Sequence, residues 1–374
     1  MRTNNKIQTK YKGKINQGLL GVVLALLLVG LAAVSSASSV LSFERFGHNN
    51  YYFTRQIIFV IAGLLAIYVF SRIDYQVWKK YSGFFLIAAL GVLCLVLIPG
   101  IGFKSGGARA WFNIGSFLLQ PSEFIKLVLV FYLASWFDRK IGAETNFWFG
   151  ILPPLFAAGG LVALLLIESD LGAAIVYVMI AAIIFFAAGA KYRYLLGLMA
   201  AGAAFLTMLI KAAPYRVARI TAFLNPGQDP QGIGYHITQA LIAIGSGGWW
   251  GYGFGASRQK HSYLPESIGD SIFAVMAEEL GFVRILCIVL LFAIFAVLGL
   301  RIAKKSPDKF GMLTAVGITS WIVFQALINM GAISNLLPLT GITLPFVSYG
   351  GSSLLASCIA VGVLLNISRH AATR

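Results

Sequence analysis

Apolar runs long enough to cross a bilayer recur ten times along this chain, and nothing else in the sequence restricts the fold as much. They fall at 17–38, 53–71, 83–99, 121–137, 148–167, 171–189, 194–210, 271–299, 310–333 and 346–367. A helix needs about 20 apolar residues to span the hydrocarbon core, and lipid admits only helices and closed barrels. The expectation is an all-α, polytopic membrane protein of about ten transmembrane helices, with residues 1–374 forming one transmembrane domain. Composition agrees: 59% of residues are hydrophobic and 11% charged, where a soluble domain carries about 25% charged residues. The stretch 148–189 divides into two spans because Glu168, Ser169 and Asp170 interrupt it, and charges avoid hydrocarbon. The first run exceeds the apolar core of a signal peptide and reads as an uncleaved first helix.

Net charge is +16. In a soluble protein that excess would point to nucleic acid; here the basic residues sit mostly in short loops, so orientation explains them and no nucleic-acid partner is expected. With the N-terminus inside, inner segments hold 18 Lys and Arg and outer segments nine. Both ends are therefore expected inside, leaving Lys126 and Arg284 within spans. Cys94, Cys287 and Cys358 all lie in apolar runs, at spacings that suit neither zinc nor a disulfide framework. His48, His236, His261 and His370 show no metal-binding spacing.

Two outer loops stand out. One covers 100–120. The other covers about 211–270, lies before span eight, and is too long to be a bare connection. Within it "GYHITQALIAIGSGG" carries an apolar stripe at helical spacing and reads as a short helix at the membrane interface. The stretch "HSYLPESIGDSIFAVMAEELGF" (261–282) then gathers four of the chain's 13 acids: Glu266, Asp270, Glu278 and Glu279. Pro265, Glu266 and Asp270 suit the start of a helix. On one continuous helix Glu278 lies about 12 Å deeper than Asp270, so these two cannot be the close carboxylate pair of a glycoside hydrolase. Asp270 stands alone at the mouth, and the Glu pair sits inside. A structural ion pair with Lys126 or Arg284 is the plain explanation for that pair. Around the one exposed acid the outer segments place Lys104, Arg109, Arg216, Arg219, Arg258 and Lys260, with Gln120, Glu123 and Lys126 opening span four. Cations around a lone acid suit a polyanion such as a pyrophosphate beside a general base; snorkelling to lipid headgroups is the alternative.

Several of these stretches resemble the SEDS family (shape, elongation, division and sporulation; FtsW, RodA and SpoVE). "NPGQDPQGIGYHITQALIAIGSGGWWGYGFGASRQKHSYLPESIGDSIFAVMAEELGF" resembles its long outer loop and following helix. "GARAWFNIG…LQPSEFIKL", "ESDLGAA" and "LPLTGITLPFVSYGGSSLLASCIAVGVLLNISRH" resemble further motifs, so the similarity covers nearly the whole chain. "SRQKHSYLPE" and "GITLPFVSYGGSS" lean toward the FtsW/SpoVE branch. The resemblance implies ten spans and polymerisation of glycan strands from lipid II at the outer face of the bacterial cell membrane, in division or cell-shape maintenance. It implies dependence on Mg2+ or Mn2+, and partners comprising lipid II, a class B penicillin-binding protein and other divisome or elongasome membrane proteins. It places the essential aspartate on Asp270, as general base. Arg109, Lys126, Arg216 and Lys260 would hold the pyrophosphate, with Glu123, Gln239, Glu279 and Ser348 as further substrate contacts. A lipid II flippase and a non-catalytic scaffold for a transpeptidase are the competing roles.

This chain departs from the family pattern at four places. Gly269 stands before Asp270 where Thr is usual, and His236 where Gln is common after the Tyr. Ala110 replaces a frequent second Arg. Arg284 replaces an expected Gly in span eight, where it pairs with Glu278 or Glu279 or marks a branch-specific contact.

Overall fold

The computed structural model describes residues 13–105, 107–115, 117–139, 147–194, 196, 197, 200, 202, 207, 214–228, 232–261 and 263–371. The order begins α1 (Gln17–Phe46), α2 (Tyr51–Arg72), α3 (Gln76–Leu97), β1 (Gly102–Ser105), β2 (Ala108–Ile114), β3 (Phe117–Leu119), α4 (Pro121–Arg139), α5 (Leu152–Ile167), α6 (Leu171–Ala188). It continues α7 (Pro214–Leu224), α8 (Ile233–Ser246), α9 (Ile272–Lys304), α10 (Lys309–Ile333) and α11 (Gly351–Ala371). Among the described residues, eight helices are long and apolar enough to cross a membrane: α1, α2, α3, the 147–167 segment containing α5, α6, α9, α10 and α11. The expected span at 121–137 is α4, a helix that carries Glu123 and Lys126 and is buried along most of its length. The expected span at 194–210 lies largely outside the described residues.

Burial sorts the helices. In their most apolar windows α10 is 72% and α11 83% buried, whereas α2 is 22%. So α10 and α11 form the centre, α2 packs on α11, and α4 and α6 close on α10. Short polar residues set the helix starts. Asn16, Asp170 and Asp308 each accept a backbone N–H three residues on, which satisfies donors that a helix start leaves unpaired. Asn366 on α11 donates to the Ser71 carbonyl at 2.9 Å and accepts the Tyr75 N–H at 3.0 Å, fixing the α2–α3 corner against the core.

The structure differs from the sequence expectation in three places. Within the first outer loop β1, β2 and β3 form an antiparallel sheet in that order, so the expected all-α chain is, among the described residues, mostly helical with one small sheet. Gly107 and Gly115 turn the hairpins with φ of 87° and 62°, a region open to glycine without strain.

Second, the helix does not start near Pro265. Residues 263–271 form consecutive turns, Glu266 has a left-handed φ of 49°, and α9 begins at Ile272. A bond from Tyr349 N to the Ile268 carbonyl (2.9 Å) ties the Glu266 and Tyr349 stretches, and one from Ser271 N to the Glu266 carbonyl (3.3 Å) closes the turn itself.

Third, α9 is not one continuous helix. It breaks at Gly281, where φ is 76° and ψ 173°. The segment 248–253 splints the break. Tyr252 and Gly253 donate to the Glu278 and Glu279 carbonyls, each at 3.0 Å, and Phe282 and Val283 donate to the Gly248 and Trp249 carbonyls at 2.9 and 3.2 Å. These bonds occupy backbone groups that the break would otherwise strand in lipid. The approach is close enough that a Cβ on Gly281 would meet the Gly251 nitrogen at 2.3 Å.

Candidate active site

Asp270 lies one residue before the Ser271 that precedes α9, half-buried at the end of the 263–271 turns. Its backbone is clamped from the core. Asn329 on α10 donates to the Asp270 carbonyl at 2.9 Å and to the Ile342 carbonyl at 2.7 Å, joining the turn to the α10–α11 loop. In that loop Gly341 has φ 71°, and a Cβ there would come 3.9 Å from Asp270 Oδ2. Burial, and next the Glu266 carboxylate, push the Asp270 carboxyl up to about 7, partly offset by the Ser271 hydroxyl and nearby backbone N–H groups. A carboxyl poised there exchanges protons readily at neutral pH.

Residues 264–269 wall a cavity of about 640 Å³ next to Asp270. The opposite wall brings cations and rings together from α1, α2, β2 and β3. Arg45 donates to the Tyr52 hydroxyl at 3.1 Å. Arg55 lies 4.8 Å from the Tyr51 ring centroid and 5.0 Å from that of Phe117. Trp111 and Glu266 complete the polar and aromatic lining. Sequence reasoning passed over Arg45 and Arg55, counting them only as outer-loop charge. Their spacing gives no signal until the α1–α2 corner folds against the Tyr349 stretch, where Tyr52 meets Tyr349 edge to face at 5.1 Å.

The remaining expected site residues are placed as follows. Lys260 borders the cavity but is buried, at 5% exposure. Its Nζ meets Glu279 Oε1 at 3.1 Å, Ser36 Oγ at 3.1 Å and the Gly255 carbonyl at 2.6 Å. Glu279 also accepts from the Ser36 hydroxyl at 2.6 Å and the Ser257 N–H at 3.2 Å. Glu278 accepts from the Ser257 hydroxyl (2.5 Å) and from the Arg258 and Gln259 N–H groups. The expected pairing of these acids with Lys126 or Arg284 is therefore corrected. Their partners come from the loop itself, which folds back over both carboxylates, and Arg284 is exposed and donates to the Trp250 and Leu280 carbonyls.

Lys126 is fully buried. It donates to Glu123 Oε1 at 2.7 Å and Gln325 Oε1 at 2.9 Å, and lies over the Trp321 ring. Sequence depth alone set Lys126 inside and Lys260 outside; both are interior ion pairs. The Ser348 hydroxyl accepts the Leu344 N–H at 2.8 Å within the loop. Gln239 is half-buried on α8. Arg109 sits on β2, with its guanidinium on the Leu97 carbonyl at 3.2 Å and its N–H on the Glu168 carbonyl. Arg216 falls in α7, and its side chain lies outside the described residues.

A second acidic position emerges beside Arg109. Glu168 is 2% exposed, and both carboxyl oxygens lack a partner among the described residues. Burial, with the neighbouring Asp170 charge, pushes it up to about 8, so it is predominantly neutral at pH 7. Asp170 accepts from Gln120 at 3.0 Å and Ala173 N at 2.9 Å.

The family model described as "Cell cycle protein" (FtsW, RodA, SpoVE) matches residues 17–373. Stage V sporulation protein E of Bacillus subtilis is 42% identical over 359 residues, covering 96% of this chain and 98% of that protein. A probable peptidoglycan glycosyltransferase FtsW of Thioalkalivibrio sulfidiphilus is 43% identical over 368 residues, covering 98% and 92%. Among solved structures, a chain of a peptidoglycan synthase complex that couples polymerization and crosslinking superposes with a TM-score of 0.81 at 27% identity, covering 96% of this chain and 99% of that one. The rod shape determining protein RodA of Thermus thermophilus gives 0.71 at 27% identity, covering 95% and 97%.

Proposed function

The chain belongs to the FtsW/RodA/SpoVE family of cell cycle proteins, and from that membership together with the Asp270 site we propose that it is a peptidoglycan glycosyltransferase of the bacterial cell membrane. It is a multi-pass membrane protein. Its substrate is lipid II, and the active face is extracytoplasmic, in keeping with the positive-inside bias. The observation that carries this reading is a half-buried carboxyl poised near neutrality, one residue beyond the 264–269 wall of a cavity lined by arginines and aromatic rings.

The chemistry needs one base. Asp270 takes the proton from the acceptor sugar hydroxyl as its oxygen attacks the donor anomeric carbon. The bond from that carbon to the lipid pyrophosphate breaks, and the pyrophosphate leaves with the electron pair. That leaving group needs charge neutralisation more than a proton. Arg45 and Arg55 on the cavity wall supply cations for it, and the tyrosine and tryptophan rings offer apolar faces to the sugars. Lys260 stiffens the cavity wall and Lys126 the contact between α4 and α10, because their charges are already engaged by Glu279 and Glu123. The polyprenyl tail lies along the lipid-facing grooves between spans.

The divalent ion implied by the resemblance finds no protein cage: among the described residues no three His, Cys, Asp or Glu converge. Such an ion would be carried in by the substrate's pyrophosphate, the manner in which Mg2+ commonly reaches phosphate chemistry. There it would neutralise leaving-group charge. The partner is a membrane-anchored cross-linking enzyme of the class B penicillin-binding type, in line with the synthase complex that the chain resembles.

The test mixes purified protein and partner with labelled lipid II and divalent metal, and resolves the glycan on a gel. Wild type makes long polymer and Asp270→Asn does not, with a loss of about 10²–10⁴-fold. Absence of polymer from both, with labelled lipid II crossing liposomes, would replace the enzyme with a flippase. Equal polymer from both would remove Asp270 from the chemistry.

A further inference from the structure

Ser271 is fully buried, and its hydroxyl touches two groups from different elements. His236 Nε2, from α8, lies 2.5 Å from Ser271 Oγ. Ser271 Oγ in turn lies 3.4 Å from Asp270 Oδ1. A hydroxyl has one proton, so the direction of this chain follows from the imidazole tautomer. With the proton on Nε2, His236 donates to Ser271 Oγ, and the serine proton is left for the Asp270 carboxylate. With the proton on Nδ1, Nε2 accepts the serine proton, and Asp270 receives nothing.

We propose that His236 is a positioning residue for the Asp270 base, acting through Ser271. The inference rests on the glycosyltransferase reading of Asp270. The ionised carboxylate selects the Nε2–H tautomer, which turns the serine proton toward Oδ1. Protonation of Asp270 removes that preference, so the three groups form a coupled unit in which ionisation and orientation reinforce each other. Oδ1 is held in this way, and Oδ2 faces the Gly341 side.

Burial keeps His236 neutral by lowering its pKa to about 4, so one nitrogen retains a lone pair and the tautomer choice stays open throughout the working range. The backbone N–H groups of Asp270 and Ser271 also donate to the carboxylate, but their direction is set by the chain and not by a tautomer, and Ser271 is the side-chain donor to it among the described residues. Glu266, from the turn before α9, raises the Asp270 pKa. Asn329 on α10 reaches only its backbone carbonyl. Arg219 on α7 donates to the Leu339 carbonyl of the facing loop at 3.4 Å.

Glutamine is the informative replacement at position 236, because its amide carries an N–H donor and an oxygen acceptor in one group. His236→Gln keeps a donor for Ser271, whereas His236→Leu keeps the bulk and removes the hydrogen bond. Ser271→Ala cuts the chain in the middle.

The experiment measures polymerisation rate against pH for wild type, His236→Gln, His236→Leu and Ser271→Ala, each purified with the partner chain, with thermal unfolding recorded in parallel. Expected is a rise in the apparent pKa of the acid limb by about one unit for His236→Leu and Ser271→Ala, with the plateau rate also reduced. His236→Gln should return the limb to within about 0.3 units of wild type. An unmoved limb in His236→Leu and Ser271→Ala overturns the proposal, even if their rates fall, because a loss of packing lowers the rate without moving the limb. Failure of His236→Gln to restore the limb, in a variant that unfolds at the wild-type temperature, also overturns it. If His236→Leu does not purify folded, Ser271→Ala decides alone, since it deletes a single buried oxygen. The glycosyltransferase reading fails separately, through loss of Asp270 dependence in wild-type background, so the two failures are distinguishable.

Discussion

Lys260 Nζ and Glu279 Oε1 stand 3.1 Å apart, nineteen residues apart in sequence, one on the outer loop and one on the arm of α9 above its break. This contact closes the outer loop onto the helix that follows Asp270. It also explains why four acids crowd into so short a stretch. Glu278 and Glu279 hold the folded loop, Glu266 raises the Asp270 carboxyl, and Asp270 is left as the proposed base.

The pair is buried on both sides, at 4% side-chain exposure each. Removing one partner strands the other. Glu279→Gln is expected to destabilise the protein by about 3–5 kcal/mol, read as a lower unfolding temperature in detergent. Lys260→Met combined with Glu279→Gln should recover part of that loss, which a substrate-binding role for Lys260 would not predict.

Polymerisation should depend on pH through Asp270. Its carboxyl is raised to about 7, and a base works only when ionised. Activity therefore increases as pH rises through about 7, and one unit below that point it should be roughly tenfold under the plateau. An initial-rate profile between pH 5.5 and 8.5, each point about half a unit apart, checks this. A rate that is flat from pH 6 to 8 would count against Asp270 as the titrating group.

Chelation separates an ion carried by the substrate from a resident one. Polymer formation should fall on addition of EDTA and return with Mg2+ or Mn2+. The unfolding temperature of the lipid-free protein should not change, since among the described residues no three ligating groups converge. A chelator-induced drop in stability would place the ion on the protein instead.

Gly281→Ala is expected to lower the yield of folded protein sharply. The backbone there, at φ 76° and ψ 173°, is open to glycine almost alone. The new methyl would also meet the Gly251 nitrogen and the Trp250 carbonyl carbon at 2.3 and 2.4 Å. Gly245→Ala, with nothing within 4 Å of its Cβ position, is the matched control, and fluorescence-detected size exclusion compares the two.

Much of the helical fold was legible because the apolar runs are long. The place of Asp270, just ahead of α9, was legible because it is an acid at the edge of such a run. What sequence could not supply are relations between distant segments. The sheet at 102–119 was missed because its strands are three to seven residues long and lie within a loop read only for its charges. The break in α9 was missed because a single glycine in an apolar run looks like any other membrane glycine; only the approach of Gly251 gives Gly281 its meaning. Lys126 and Lys260 looked different by depth, yet fold into the same kind of interior pair, because the outer loop turns back on itself. His236 departs from the family pattern in the sequence, but its 2.5 Å approach to Ser271 exists only in the fold.

The interruption at Gly281 also has a mechanical consequence. A straight rod of 33 residues would transmit any tilt of its inner end directly to the residue at its outer tip. Here the rod is two arms set at an angle, and the 248–253 segment is bonded to the end of each, like a brace across a mitred corner. The direction of the outer tip is therefore set by the loop that braces the corner as well as by the inner arm.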